Sequence, residues 1–312
     1  MNVLVVDETH PFLMEALAAN GFQCDYQPKI TYEQVLACIS NYEGMVVRTK
    51  FRVEKELFDR ATKLKFIARA GAGMDNIDVD YALERKVELF NAPEGNANAV
   101  GEHALGMLLS VMNKFPKGNK EVRDAIWDRE GNRGWELDGL TVGIIGYGFM
   151  GPAFAKKLRG FEVKVLAYDK YKTDFGDNWV QESSLEQLFE YADVLSLHIP
   201  LTDETRFMVD EQFFNRFKKN IWFINTARGE IVKIAGLLKA LDSGKVKGAG
   251  LDVLQKEKFP LRAEDKVWFD KLILRDNVLL SPHVGGWSVE SYQKISAVLA
   301  KKIIEWNSTQ KK

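Results

Sequence analysis

Apolar residues along the chain fall into short runs, separated by longer stretches in which they recur every three or four positions. The runs at residues 3–6, 44–47, 66–68 and 87–90 are rich in β-branched side chains and predict buried strands. Between them, residues 31–39 carry a helical period, and Thr31 with Gln34 fits a capping box. A long helical region begins near Asn98, after which strand patterns resume at 141–145, 163–168, 194–197, 221–224, 248–251 and 278–280. Strands that alternate with helices predict parallel sheets covered by helices on both faces. These strands are too many for one comfortable sheet, so the pattern predicts an α/β protein of two doubly wound parallel-sheet domains. The last helical stretch, 288–306, follows the final strand and is free to cross back over the first domain. The predicted domains are therefore 1–97 plus 287–312, a discontinuous substrate-binding domain, and 98–286. The polar tail 307–312 is expected to fray.

Composition narrows the function. Of 312 residues 46% are hydrophobic, enough for large cores, and 43 basic against 44 acidic residues leave a net charge of −1. No global field draws the chain to nucleic acid or to a membrane surface. Two cysteines, Cys24 and Cys38, make neither a metal-ligand spacing nor a redox pair, so no metal site and no disulfide framework is expected. The N-terminus lacks a basic leader, and no apolar run approaches the ~20 residues of a membrane span. A cytoplasmic protein is the expectation.

The strand at 141–145 runs directly into Gly146-Tyr147-Gly148-Phe149-Met150-Gly151, with a helical pattern after it. Gly146 makes the tight turn, Gly148 admits a pyrophosphate to the backbone, and Gly151 permits close packing of helix on strand. The next strand ends in Asp169, 18 residues past Gly151, where a carboxylate accepts hydrogen bonds from ribose hydroxyls and repels a 2′-phosphate. NAD is favoured over NADP, although Lys170 and Lys172 soften the exclusion. Ligands of open α/β sheets lie beyond the carboxyl ends of the strands. Arg228, Glu257 and His283 fall in three separate loops at such ends. Each taken singly reads as a surface or structural residue; their common placement beside a dinucleotide turn suits carbonyl–alcohol redox chemistry.

These residues belong to a wider set: the segment from Arg69 to Asp78 (RAGAGMDNID), Asn91-Ala92-Pro93, Glu102-His103, the glycine turn, Asn225-Thr226-Ala227-Arg228-Gly229, Leu251-Asp252-Val253 and Ser281-Pro282-His283. In this order they resemble the D-2-hydroxyacid dehydrogenase family, from about Val46 onward. The resemblance implies a flavodoxin-like substrate domain interrupted by a Rossmann NAD-binding domain. It implies that His283 takes the substrate hydroxyl proton with Glu257 as its partner. A carboxylate beside imidazole favours the imidazolium, which donates the proton back in the reductive direction. Arg228 would hold the substrate carboxylate and reacting oxygen, aided by the backbone N–H groups of Ala72 and Gly73. Asp252 would bond the nicotinamide carboxamide, and His198, Ile199 and Pro200 would line the adenosine side. Phe149, Met150, Thr226, Ala227, Arg228, His283 and Gly285 complete the implied cofactor contacts. Lys258, Glu94 and Trp287 depart from the family pattern; Trp287 is expected to narrow the pocket. Glu257 argues against the formate-oxidising branch, which carries Gln there.

Arg48 and Arg69 stand at positions resembling those that meet phosphate in phosphoglycerate dehydrogenases, and Lys50 lies close by. Two arginines opposite a phosphate gain charge-assisted hydrogen bonds. The resemblance thus implies D-3-phosphoglycerate dehydrogenase of serine biosynthesis, with hydroxypyruvate or glyoxylate reductase as the alternative. A non-catalytic NAD-sensing corepressor is the alternative of another class. Only 29 residues follow His283, so no regulatory domain with serine feedback is expected. A homodimer is implied, with residues 98–112 and 121–137 reading either as its contacts or as domain core, and with Arg129 or Arg133 reaching a neighbouring site.

Overall fold

The structure is a computed structural model that describes residues 1–310. It divides into two compact units, Met1–Ala97 with the segment from Trp287 onward, and Asn98–Gly286. In chain order the strands are β1 (Asn2–Val5), β2 (Gln23–Tyr26), β3 (Gly44–Val47), β4 (Phe66–Arg69), β5 (Glu88–Phe90), β6 (Thr141–Ile145), β7 (Lys164–Tyr168), β8 (Val180–Glu182), β9 (Val194–Leu197), β10 (Ile221–Asn225), β11 (Val246–Leu251) and β12 (Val278–Leu280). The helices are α1 (Phe12–Ala19), α2 (Tyr32–Cys38), α3 (Lys55–Arg60), α4 (Val79–Glu84), α5 (Pro93–Met112), α6 (Phe115–Arg123), α7 (Met150–Lys157), α8 (Leu185–Tyr191), α9 (Glu211–Asn215), α10 (Ile234–Asp242), α11 (Ala263–Ile273) and α12 (Val289–Thr309).

The first unit is a five-stranded parallel sheet in the order β2-β1-β3-β4-β5, the flavodoxin-like order. Successive side chains point to opposite faces, so each apolar run feeds two cores. Val3, Val5, Val46 and Phe66 pack with Leu13 and Leu17 of α1 and with Ile295, Leu299 and Ile303 of α12. Leu4, Val6, Met45, Val47 and Ile67 face α2, α3 and α4 through Val35, Leu57, Phe58 and Ala82. The chain's last helix thus completes the first sheet. The expected fraying fails at residues 307–309, because α12 runs through Thr309 and buries Asn307; residues 311 and 312 lie outside the described residues. The capping box at Thr31 forms, with Gln34 N–H donating to Thr31 Oγ1 and Thr31 N–H to Gln34 Oε1.

The second unit is a seven-stranded parallel sheet, β12-β11-β10-β9-β6-β7-β8. Strand order reverses between β6 and β9, the switch point at which open α/β sheets bind ligands. One face carries α5 and α7, with Leu108, Met112 and Phe154 on Val142, Ile144 and Ile224. The other carries α8, α9 and α10, with Leu188, Phe214 and Leu237 on Leu195, Leu197 and Phe223. Each such side chain contributes about 1.5–3 kcal/mol by leaving water. Both sheets bear out the predicted fold class. The edge strands β2 and β8 were not predicted, since their polar, half-exposed residues carry no apolar run.

Candidate active site

The glycine turn sits at the switch point. Gly146 has φ +95°, and a Cβ there would come within 2.5 Å of the His198 carbonyl oxygen, so the ends of β6 and β9 meet with no room for a side chain. A Cβ at Gly151 would lie 2.1 Å from the Gly146 oxygen, whereas at Gly148 it would face open space. The turn is therefore closed where helix meets strand and open where a phosphate must approach the N–H groups at the start of α7. Phe149 is exposed and Met150 half-buried beside it. Two buried polar atoms nearby, His198 Nδ1 and Thr226 Oγ1, have no hydrogen-bond partner among the described residues. A dinucleotide fits this set of open cradle and unspent polar atoms. Burial pushes the His198 pKa down to about 3, so its ring is neutral, with Nε2 at 2.9 Å from Ser196 Oγ. Ile199 is partly buried and Pro200 exposed.

Asp169 follows β7, and its carboxylate is already engaged. Oδ2 accepts from Tyr147 N–H at 2.7 Å, and Oδ1 from Tyr171 N–H at 2.9 Å and Lys172 N–H at 3.1 Å. It ties the glycine turn to the next loop, a task that its spacing alone did not disclose. Lys170 pairs with Glu204, and Lys172 Nζ donates to the Tyr147 carbonyl at 3.2 Å. The two cations that would welcome a 2′-phosphate are thus occupied.

Three loops at the carboxyl edge of the same sheet carry the other polar groups. Asn225 ends β10 fully buried; its Oδ1 accepts from Ala227 N–H at 3.0 Å, and its Nδ2 donates to the Arg228 carbonyl at 3.1 Å. This folds the loop sharply, and Arg228 leaves it partly buried with Nη1 on the Ala227 oxygen at 2.7 Å. Gly229 is required next, since a Cβ would meet the Leu254 oxygen at 1.9 Å. The Arg228 loop therefore lies directly on the loop that bears Glu257. Glu257 Oε1 accepts from Leu254 N–H at 3.3 Å, and Oε2 lies 2.8 Å from His283 Nδ1.

His283 adopts φ +56°, a left-handed conformation that costs a non-glycine residue about 1–2 kcal/mol. Asp252 offsets that cost. Only 2% exposed, it accepts His283 N–H at its carbonyl (2.8 Å), and its carboxylate accepts from Ser281 Oγ (2.6 Å), Val284 N–H (2.9 Å) and Gly285 N–H (2.7 Å). Burial alone would raise the Asp252 pKa; hydrogen bonds from His103, Ser281, Val284 and Gly285 outweigh it and hold it below the ordinary aspartate range. His103 Nε2 reaches Ser281 Oγ at 2.9 Å. The sequence alone assigns no role to Asn225, His103 and Ser281, although each stands in one of the family-like segments.

Residues 105–285 match the model of the D-isomer specific 2-hydroxyacid dehydrogenase NAD-binding domain. The chain belongs to this family. The family bears out the expected NAD cofactor. Among similar proteins, D-3-phosphoglycerate dehydrogenase of Archaeoglobus fulgidus is 33% identical over 97% of this chain and 57% of its own length. Glyoxylate reductase of Pyrococcus furiosus is 30% identical over 94% of the chain and 90% of that protein. The structure of Aquifex aeolicus D-lactate dehydrogenase with NAD and lactic acid superposes with a TM-score of 0.84 at 26% identity, covering 99% of this chain and 96% of that one. The chain thus spans little more than half of the phosphoglycerate dehydrogenase it resembles.

In this family member the expected substrate residues of the first unit stand at its sheet's carboxyl edge. Arg69 is the last residue of β4. Beyond it the Ala72 carbonyl accepts from Asn91 Nδ2 at 2.7 Å and the Gly71 carbonyl from Ala92 N–H at 2.8 Å. The N–H groups of Ala72 and Gly73 carry no hydrogen bond among the described residues. Lys50 Nζ donates to the Pro28 carbonyl at 2.6 Å. Glu94, a departure from the family pattern, pairs with Lys302 of α12 at 2.9 Å. Arg133 pairs with Glu130 at the surface. Trp287 lies under the Arg48 guanidinium, whose central carbon is 3.5 Å from the ring centroid.

Proposed function

We propose that this chain is an NAD-dependent D-2-hydroxyacid dehydrogenase whose preferred substrate carries a second anionic group, 3-phospho-D-glycerate of serine biosynthesis being the first candidate. The observation that carries the reading is the His283–Glu257 pair on the sheet edge that also bears Arg228. Bound NAD supplies a hydride acceptor at nicotinamide C4. Glu257, an acceptor, fixes the proton of His283 on Nδ1, which leaves Nε2 as the atom that takes the hydroxyl proton when the C2–H bond breaks. The His283 and Glu257 side chains are 45% and 41% exposed, so bulk water has access to the pair. Arg228 offers a planar fork to a substrate carboxylate, and on the first unit the Ala72 and Gly73 N–H groups are suited to an anion. Arg48 and Arg69 would receive the second anion. Asp169 with the occupied Lys170 and Lys172 favours NAD over NADP.

A panel of D-2-hydroxy and 2-keto acids, run in both directions with NAD and NADP, tests this. NAD-linked oxidation of 3-phospho-D-glycerate is expected, with His283→Ala lowering kcat by ~10²-fold or more. Brisk NADH consumption with glyoxylate or hydroxypyruvate, and none with the phosphorylated pair, supports the reductase reading instead. Binding of NAD without any turnover refutes both.

The same reading includes a homodimer. Helix α6 buries none of its residues, and Phe115, Val122, Ile126, Trp127 and Trp135 are exposed in one short stretch, Trp127 by 80%. A cavity of about 700 Å³ is lined by Phe115, Val122, Ile126 and Trp127. An apolar cluster of this kind on the second unit is a surface for another copy of the chain.

A further inference from the structure

Trp287 has no place in the chemistry above, yet it holds a group that does. The Arg48 guanidinium is stacked on its ring, and the indole is braced edge-on by Tyr292 at 5.1 Å, which meets His10 at 5.5 Å. The Arg48 backbone is fixed as well: Asp7 Oδ2 accepts the N–H groups of Arg48, Thr49 and Lys50 at 2.6, 3.1 and 3.2 Å. The guanidinium makes no hydrogen bond and no ion pair among the described residues. It is half-buried, and burial works against its charge, with Asp7, Tyr292 and Glu8 acting in the other direction. A planar cation is therefore anchored at its backbone and on one ring face, while the in-plane N–H donors stay unspent. That arrangement suits an oxyanion met edge-on.

We infer that Trp287 is a positioning residue that determines specificity, holding Arg48 preset for a second anionic group on the 2-hydroxy acid, whether a phosphate or a distal carboxylate. The inference rests on the proposed dehydrogenase reading and on Arg48 as a substrate contact. A flexible arginine loses rotamer freedom when it binds an anion; one already stacked loses less, and the gain falls on substrates that use it. Lysine at 48 has neither the plane to stack nor the fork to offer.

The test compares kcat/KM for 3-phospho-D-glycerate, D-2-hydroxyglutarate and D-lactate in the wild type, Trp287→Ala, Trp287→Phe, Arg48→Ala and the double variant. Trp287→Ala is expected to lower the ratio of either substrate with a second anionic group to D-lactate by about 5- to 30-fold, the worth of one desolvated cation–π contact, chiefly through KM. Trp287→Phe recovers part of that ratio, and adding Trp287→Ala to Arg48→Ala changes it no further. Of these two substrates, the one that shows the larger effect identifies the group received. Equal losses on all three substrates, or additive effects in the double variant, overturn the inference while leaving Arg48 as a substrate contact. An unchanged ratio in Arg48→Ala overturns that assignment too. Absence of turnover on every substrate overturns the dehydrogenase reading and the inference with it.

Discussion

Replacing Asp252 by Asn changes one buried atom and removes one charge. Three donors converge on the carboxylate within 2.6–2.9 Å, from Ser281, Val284 and Gly285. In either amide orientation the Asn NH₂ points at a backbone N–H, so at least one buried donor loses its acceptor, at about 1–3 kcal/mol. The hydrogen bonds that remain lose their charge assistance, about 1 kcal/mol more. The expected loss is roughly 2–5 kcal/mol at pH 7, read as a lower urea midpoint with unchanged m. Part of it falls on the left-handed turn at His283; a ~2 kcal/mol penalty on that conformation lowers kcat/KM by about 10- to 100-fold. The folded pKa of Asp252 lies below its ordinary value. Its contribution is therefore complete above the unfolded value of about 3.9 and is lost as pH falls through the folded one. The gap between wild type and Asp252→Asn should accordingly narrow below about pH 4. A variant within about 1 kcal/mol of wild type, with kcat/KM changed by less than about threefold, refutes the assignment of Asp252 as the support of the catalytic turn.

Asp169→Ala should raise the NADP/NAD preference, and it should also weaken NAD binding and lower Tm, because three backbone N–H groups lose their acceptor at about 0.5–1.5 kcal/mol each. Paired kcat/KM values and a melting curve check both parts. Gly229→Ala drives a Cβ into the Leu254 oxygen, displaces the loop that bears Glu257, and should cut kcat by about 10-fold or more; an unimpaired enzyme refutes the close packing of the two loops. Ile126→Glu with Trp127→Glu should yield a monomer by light scattering with its far-UV circular dichroism retained, and a dimer that persists removes this surface from the interface.

Legibility in the sequence followed locality. β3 reads directly as a strand because all four of its residues are buried and apolar. β2 and β8 escape because edge strands of polar residues look like loops. α5 starts at Pro93, earlier than its period suggests, since the glycine and asparagines of its first turns mask a proline at a helix start. At the site, the glycine turn was legible because all its parts lie in one strand–turn–helix unit. The support of His283 was not: Asp252, Ser281 and His103 come from far-separated segments, and no local pattern couples them. Trp287 read as an obstruction because its partner, Arg48, lies at the other end of the chain.

The return of α12 to the first sheet also orders the birth of the molecule. A chain leaving the ribosome completes the second unit from one uninterrupted stretch, Asn98–Gly286. The first unit is made earlier in sequence but finished later, because Val3, Val5 and Phe66 lack one wall of their core until Ile295, Leu299 and Ile303 emerge. Its opening strands must wait, half-covered, through the synthesis of everything between, and closing so long a loop slows their docking. A helix made after the second unit is what lets strands made before it settle.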